Sequence, residues 1–398
     1  VLVGFPDGAD LRWRRADADS QAMTSRSWSR RLLGAITALA AVAAAATILA
    51  LPFVVDHDRT RPRDPLAYDP EVLAPDDPGP NPAAVRRRLV PPKTGVYLGA
   101  SSFSLVSQPG AIRRWASAHG PRPRIVNWFQ QWLSGERHFR DDWARRVSRA
   151  GAIPMVTWEP WYAPAGELHV AEQPNISLDR IAEGDFDRYI RTWARSIAAY
   201  RGPVLIRLMH EMNGFWYPWG VSVNGNTPAD YVAAWRHVHR IFDKAGARNV
   251  SWVWSINNLE GPDGESHDLT PYYPGDRYVD WVSTSGFNWG QAYDWSSWRD
   301  ADALYGATYR ALAKFGKPVM ISEIGTTAVG GDPKAWIRET LHRLRTGYPK
   351  LRAILWYDDV DAAGLDFRLR GATENALRQP SALGDDWVRK PVLEALPR

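Results

Sequence analysis

Val204-Leu-Ile-Arg-Leu-Met-His-Glu-Met-Asn-Gly-Phe-Trp-Tyr-Pro-Trp-Gly220 runs from apolar residues into two ionisable ones, His210 and Glu211, and then into amide, small and aromatic residues. Val204, Leu205, Ile206 and Leu208 read as a strand buried on both faces, the habit of a parallel sheet covered by helices. Such a strand delivers His210 and Glu211 to its carboxyl end, where parallel α/β folds build their sites. An isolated strand-end glutamate more often pairs with a neighbouring cation, here Arg207. The adjoining Asn213, Trp216 and Trp219 turn the reading toward ligand contact.

Outward from this stretch, short apolar runs alternate with amphipathic ones from Gly95 onward. Strands are expected at Gly95 to Ala100, Arg124 to Phe129, Ala152 to Trp158, Pro203 to Met209, Val250 to Ile256, Trp281 to Gly286, Pro318 to Ser322 and Arg352 to Trp356. Apolar residues spaced by three and four predict helices over Phe186 to Tyr200, Pro228 to Ala245, Asp300 to Phe315 and Pro333 to Tyr348. This β-then-α alternation implies parallel strands with right-handed crossovers and an α/β fold, with a TIM (β/α)8 barrel over residues 95–398 as the leading solution. An open doubly wound sheet fits less well, because no glycine-rich phosphate loop follows the first strand.

The N-terminal part has another character. Residues 32–55 carry no charge and follow Arg26, Arg30 and Arg31, which predicts a transmembrane helix with residues 1–31 cytoplasmic and the remainder across the membrane. A cleaved signal peptide is the competing reading, which would give a secreted protein. Met23 just before the basic cluster suggests that residues 1–22 are an over-extended start. Residues 56–94, rich in Pro, Asp and Arg, read as a disordered linker.

Composition narrows the chemistry. With no cysteine, disulfides, thiolate metal sites and a cysteine nucleophile are excluded. Twenty-one tryptophans against five methionines exceed the needs of a core, since indole is seldom fully buried and seeks a partner for its N–H. The net charge of +5 comes without the interleaving of basic and aromatic residues that marks nucleic-acid binding. No histidine pair flanks a glutamate as in a zinc helix, and no cofactor or metal is expected.

If the strands are parallel, the polar strand ends converge on one mouth: Glu159 with Trp161, His210 with Glu211, Asn257, Asn288 with Trp289, and Glu323. Glu211 and Glu323 would come from the fourth and seventh strands, and carboxylate pairs astride one bond are what glycoside hydrolysis requires. His210, Glu159, Trp161, Asn213, Trp216, Trp219, Asn257, Asn288 and Trp289 are candidate substrate contacts, with Trp132, Trp295 and Trp298 as further stacking positions.

His210-Glu-Met-Asn-Gly-Phe-Trp-Tyr-Pro-Trp-Gly220, with Thr157-Trp-Glu-Pro-Trp161, Ser285-Gly-Phe-Asn-Trp-Gly290 and Ile321-Ser-Glu-Ile-Gly325, resembles glycoside hydrolase family 26. The resemblance implies a TIM barrel, retention of anomeric configuration and endo-attack on a β-linked polysaccharide, with Glu211 as acid/base and Glu323 as nucleophile. It also implies that Trp356 is a platform beneath the sugar being cleaved. Where relatives carry a tyrosine beside the nucleophile this chain has Trp289, so Tyr293 is the expected substitute. The substrate stays open between β-1,4-mannan and mixed-linkage β-1,3-1,4-glucan, and a non-catalytic glycan-binding or exopolysaccharide-assembly protein remains the alternative. The expected partners are the polysaccharide and, through the N-terminal helix, the membrane, with the chain a monomer.

Overall fold

The computed structural model describes residues 87–132, 138–161, 171–220, 223–259, 268–361, 363–378 and 386–395. The segments read as cytoplasmic start and membrane helix, and the linker up to residue 86, lie outside them. Eight parallel strands close a barrel in sequence order: β2 (Tyr97–Ser101), β3 (Ile125–Gln131), β4 (Ile153–Glu159), β5 (Val204–Leu208), β6 (Val250–Asn257), β7 (Trp281–Asn288), β8 (Val319–Thr326) and β9 (Leu351–Tyr357). All eight expected strands are present. Seven of their carboxyl ends run one to four residues further than the apolar runs, because the last inward positions are polar, and β5 stops one residue short at Leu208.

The crossover helices lie where the periodicity put them. Among them are α5 (Asp187–Tyr200), α6 (Pro228–Lys244), α7 (Ala301–Ala313) and α8 (Pro333–Gly347), preceded by α1 (Phe103–Ser107), α2 (Ala111–His119), α3 (Asp141–Arg149) and α4 (Leu178–Glu183). Their starts follow from local chemistry. Thr227 and Asp230 form a reciprocal capping box with Pro228 in the first turn, and the Asp300 and Asp332 carboxylates cap α7 and α8. Between β6 and β7 the described residues form two 3-10 turns in place of an α-helix. No helix among the described residues is long and apolar enough to cross a membrane.

Alternation along each strand sorts side chains into two cores. Trp128, Trp158, Trp254 and Trp356 point outward into the layer beneath the helices. Inward, Tyr97, Ile125, Met155, Leu205, Val253, Trp281, Met320 and Leu355 fill the lower barrel. The tryptophan excess therefore serves packing to a large extent: Trp132, expected at the mouth, is 1% exposed and lies against Trp158, Phe186 and Tyr189.

One correction concerns the linker, expected to reach residue 94. Residues 87–90 instead form β1 (Arg87–Val90), antiparallel to β10 (Val392–Ala395). Leu89 joins the inner core from below, and the Tyr97 hydroxyl donates to the Val90 carbonyl at 2.5 Å. This two-stranded sheet closes the amino end of the barrel, a role that four residues following a proline-rich stretch did not announce.

Candidate active site

Every second residue of a barrel strand faces inward, so climbing two positions from the apolar floor reaches the polar layer. There Asn127 on β3, Thr157 on β4, Arg207 on β5 and Ser255 on β6 meet. Asn127 donates to Ser101 at 2.8 Å, Thr157 donates to Asn127 at 3.0 Å, and the Arg207 Nε donates to Ser255 at 2.9 Å. Arg207 is fully buried, and its Nη1 donates to Glu323 at 2.6 Å. The pairing suggested by sequence adjacency thus exists, but Arg207 makes its short contact with Glu323. Glu211 Oε1 lies 3.9 Å from its other terminal nitrogen.

One more step up, Glu159, Glu211 and Glu323 are 3%, 7% and 4% exposed. Glu323 reaches the interior through a break in alternation. Between β7 and β8, Thr284 pairs with Ile321 but Ser285 pairs with Glu323, so Ser322 is an extra residue. Ile321 and Ile324 both face the outer layer, which sends the two residues between them inward. Ser322 hydrogen-bonds Ser283 and the Thr284 carbonyl, and Glu323 takes Arg207. Such a bulge re-aims a side chain without breaking the sheet.

Glu211 is placed by backbone strain. Met209 and Glu211 adopt φ of 43° and 55°, the left-handed region that non-glycine residues avoid and that clusters at functional sites. The Glu211 N–H donates to the Ser255 carbonyl at 2.9 Å, which holds the turn onto β6. Its carboxylate accepts from Trp216 Nε1 at 2.9 Å and from the Ser285 hydroxyl. Gly214 is required beneath that indole, since a Cβ there would lie 2.4 Å from the Trp216 ring. Atoms of His210, Glu211 and Glu323 all lie within 4.8 Å of one another, the one such group among the described residues that could hold a metal ion. In this structure Arg207 supplies the positive charge at that point.

Burial sets the charge states. It pushes the Glu159 carboxyl up to about 8, with the Trp161 indole and Arg207 pulling the other way. Glu323 is raised by burial and by Glu211, against the pull of Arg207. Burial also holds His210 well below the usual histidine value, so the ring is neutral. His210 Nε2 pairs with the Tyr217 hydroxyl at 2.9 Å, and Nδ1 stands 3.9 Å from Glu159. His210 Nδ1 and Arg207 Nη2 are buried without a hydrogen-bond partner among the described residues. These are the polar atoms a hydroxyl-rich ligand would satisfy.

The remaining expected residues divide. Trp219 donates to the His210 carbonyl at 2.6 Å and stacks on Tyr217, with Trp161 edge-on to both. Asn213 is spent on the backbone of Asn257, accepting from its N–H at 2.8 Å and donating to its carbonyl at 3.1 Å. Asn288 is fully buried, donating to Thr326 and accepting from the Gly290 and Arg299 N–H groups. Trp289 packs among Phe287, Tyr293, Trp295 and Phe367, while Trp295 is 44% exposed.

Two aromatic expectations are corrected by register. Trp356 faces outward, 1% exposed, with its N–H on the Phe367 carbonyl, so it cannot be a platform in the mouth. The inward residue is its neighbour Tyr357. Tyr293 stacks on Trp295 at 5.1 Å, and the hydrogen bond the structure gives Glu323 comes from Arg207. Tyr357 feels the charge of Glu323, its phenol raised by burial and then by that carboxylate, and Tyr217 is raised by burial and by all three glutamates. Sequence reasoning also passed over Ser285 and Phe129, the latter edge-on to His210 at 5.8 Å. Steps of two up from the inward floor residues Ile125, Trp281 and Leu355 lead to Phe129, Ser285 and Tyr357.

Comparison with known proteins gives the same direction. Residues 151–337 match the profile of Glycosyl hydrolase family 26. Endoglucanase H of Acetivibrio thermocellus is 34% identical over 294 residues, 73% of this chain and 31% of that protein. Mannan endo-1,4-beta-mannosidase of Bacillus subtilis is 28% identical over 197 residues, 48% of this chain and 46% of that protein. This chain therefore spans less than half the length of either. An endo-beta-1,4-mannanase double mutant from Cellulomonas fimi superposes with a TM-score of 0.57 at 18% identity, covering 74% of this chain and 72% of that one, a likeness of fold.

Proposed function

From the membership of this chain in glycosyl hydrolase family 26, we propose that it cleaves a β-linked polysaccharide internally, with retention, by double displacement. The observation that carries the reading is the spacing of Glu211 and Glu323, whose oxygens come within 4.8 Å. Retaining glycosidases hold their carboxyl groups about 5–5.5 Å apart, whereas inverting ones leave about 6.5–9.5 Å for a water. The Glu323 carboxylate attacks the anomeric carbon while Glu211 gives its proton to the departing glycosidic oxygen. The bond to that oxygen breaks and a glycosyl ester forms on Glu323. Glu211, now a carboxylate, takes a proton from water, whose oxygen attacks the same carbon and releases Glu323.

Glu159, Trp161 and His210 fit hydroxyl recognition beside the cleaved bond, and Trp295 fits a more distant stacking position. A β-glucan is favoured over mannan, because similarity to an endoglucanase extends over 73% of this chain and that to a mannosidase over 48%. The charge-free run at residues 32–55 supports an extracytoplasmic enzyme on a membrane anchor.

Product profiles on β-glucan, mannan and xylan panels, with Glu211→Ala and Glu323→Gln beside the wild type, test the reading. Loss of the general acid should slow polysaccharide cleavage by about 10²–10⁴-fold. An aryl glycoside whose leaving group needs no proton should lose far less in its glycosylation step, while Glu323→Gln should fail on both. Wild-type chain that binds glycans and cleaves none would leave a binding protein instead.

A further inference from the structure

The amino end of the barrel, opposite the mouth, holds a cavity of about 600 Å³. Arg87 of β1, Arg145 and Arg149 of α3, and Arg201 before β5 line it, with no Asp or Glu among the described lining residues. Arg145 is tied to Asp141 at 3.1 Å and lies over the Tyr200 ring at 5.6 Å. Arg87 and Arg149 are exposed. Positive charge is crowded here: Arg122 bonds the Ala150 carbonyl just above Gly151, and its charge adds to burial in holding Arg124 below the ordinary arginine value. Apart from the hydroxyls of Ser148 and Tyr200 the rest of the lining is apolar, including Ile153, Pro203, Pro391 and Leu393, and Val392 beside them is 54% exposed. A polysaccharide without charge has no use for such a site.

We infer that this face docks on an anionic phospholipid surface, with a headgroup phosphate held among Arg87, Arg149 and Arg201 and the apolar rim against the glycerol region. Guanidinium forks match phosphate geometry, and a basic face with adjoining apolar residues is what an anionic leaflet attracts. The choice of a lipid over a free anion draws on the anchor reading above, since β1, which borders the cavity, is where the chain following the charge-free run enters the barrel. Docked in this way, the mouth points away from the membrane.

Hydrogen–deuterium exchange on the full chain tests this, with vesicles of phosphatidylcholine alone, vesicles carrying phosphatidylglycerol, and phosphatidylcholine vesicles with inorganic phosphate. Residues 87–90, 149–153, 200–203 and 391–395 should exchange more slowly only with phosphatidylglycerol. Arg149→Ala and Arg87→Ala, at exposed positions, should each weaken that protection about five-fold, with melting temperature confirming the fold. Equal exchange with both vesicle types would overturn the inference, as would equal protection by inorganic phosphate. No hydrolysis is measured, so failure here leaves the glycosidase reading standing.

Discussion

At the scale of single residues, Arg207 decides whether Glu323 can attack. Its Nη1 sits 2.6 Å from the carboxylate, in a place where burial alone favours the neutral acid. Removing it as Arg207→Met leaves a buried carboxyl without its counter-charge, and Glu323 takes up a proton at higher pH. The acid limb of the kcat/KM profile is expected to move upward in pH, so the loss should be largest in acid and partly recovered in alkali. Glu159 offers a stability test. Its folded value of about 8 lies above the ordinary carboxyl value of 4.5, so folding favours its protonated form. That contribution is full below about pH 4.5 and is lost as pH rises toward 8, on the order of 3 kcal/mol by pH 7. Glu159→Gln should abolish it, so the mutant should lose less melting temperature than wild type between pH 5 and 8. Glu211 and Glu323 were legible in the sequence because each follows an apolar run. Ser285 and Tyr357 were not, because nothing in their immediate neighbours marks the phase of the strand.

At the scale of elements, phase is the recurring theme. Trp356 was expected in the mouth and lies on the helix side, where it packs edge-on to Trp336 of α8. Trp356→Phe should therefore lower the melting temperature through lost packing, by about 1–3 kcal/mol in stability, and leave KM for the polysaccharide unchanged. A rise in KM with unchanged stability would place the ring in the site after all. The helices were readable because caps and apolar spacing are local signals, as at Thr227 and Asp332. The bulge at Ser322 was not, since an extra residue shows only against the register of β7. Nor was β1, whose four residues acquire meaning only beside β10.

At the scale of the whole molecule, the chain carries +5, yet the carbohydrate it is proposed to cleave is neutral. The protein field then has nothing to steer, and kcat/KM on a neutral β-glucan should stay within about two-fold as added salt shortens the Debye length from roughly 30 Å to 8 Å. Lipid docking at the basic face should weaken over the same range. The closed barrel was readable from eight apolar runs at near-regular spacing, whereas its lower closure and the polarity of that face depend on residues brought together only by folding. The placement of Arg207 between the two carboxylates has a further consequence for the catalytic cycle. Before attack, one cation faces one anion and one protonated acid; in the glycosyl ester, it faces the anion left on Glu211. The sum is zero in both states, with neutral His210 adding nothing. Electrical balance is therefore kept through turnover, and the dry mouth of the barrel never has to solvate an ion of its own making.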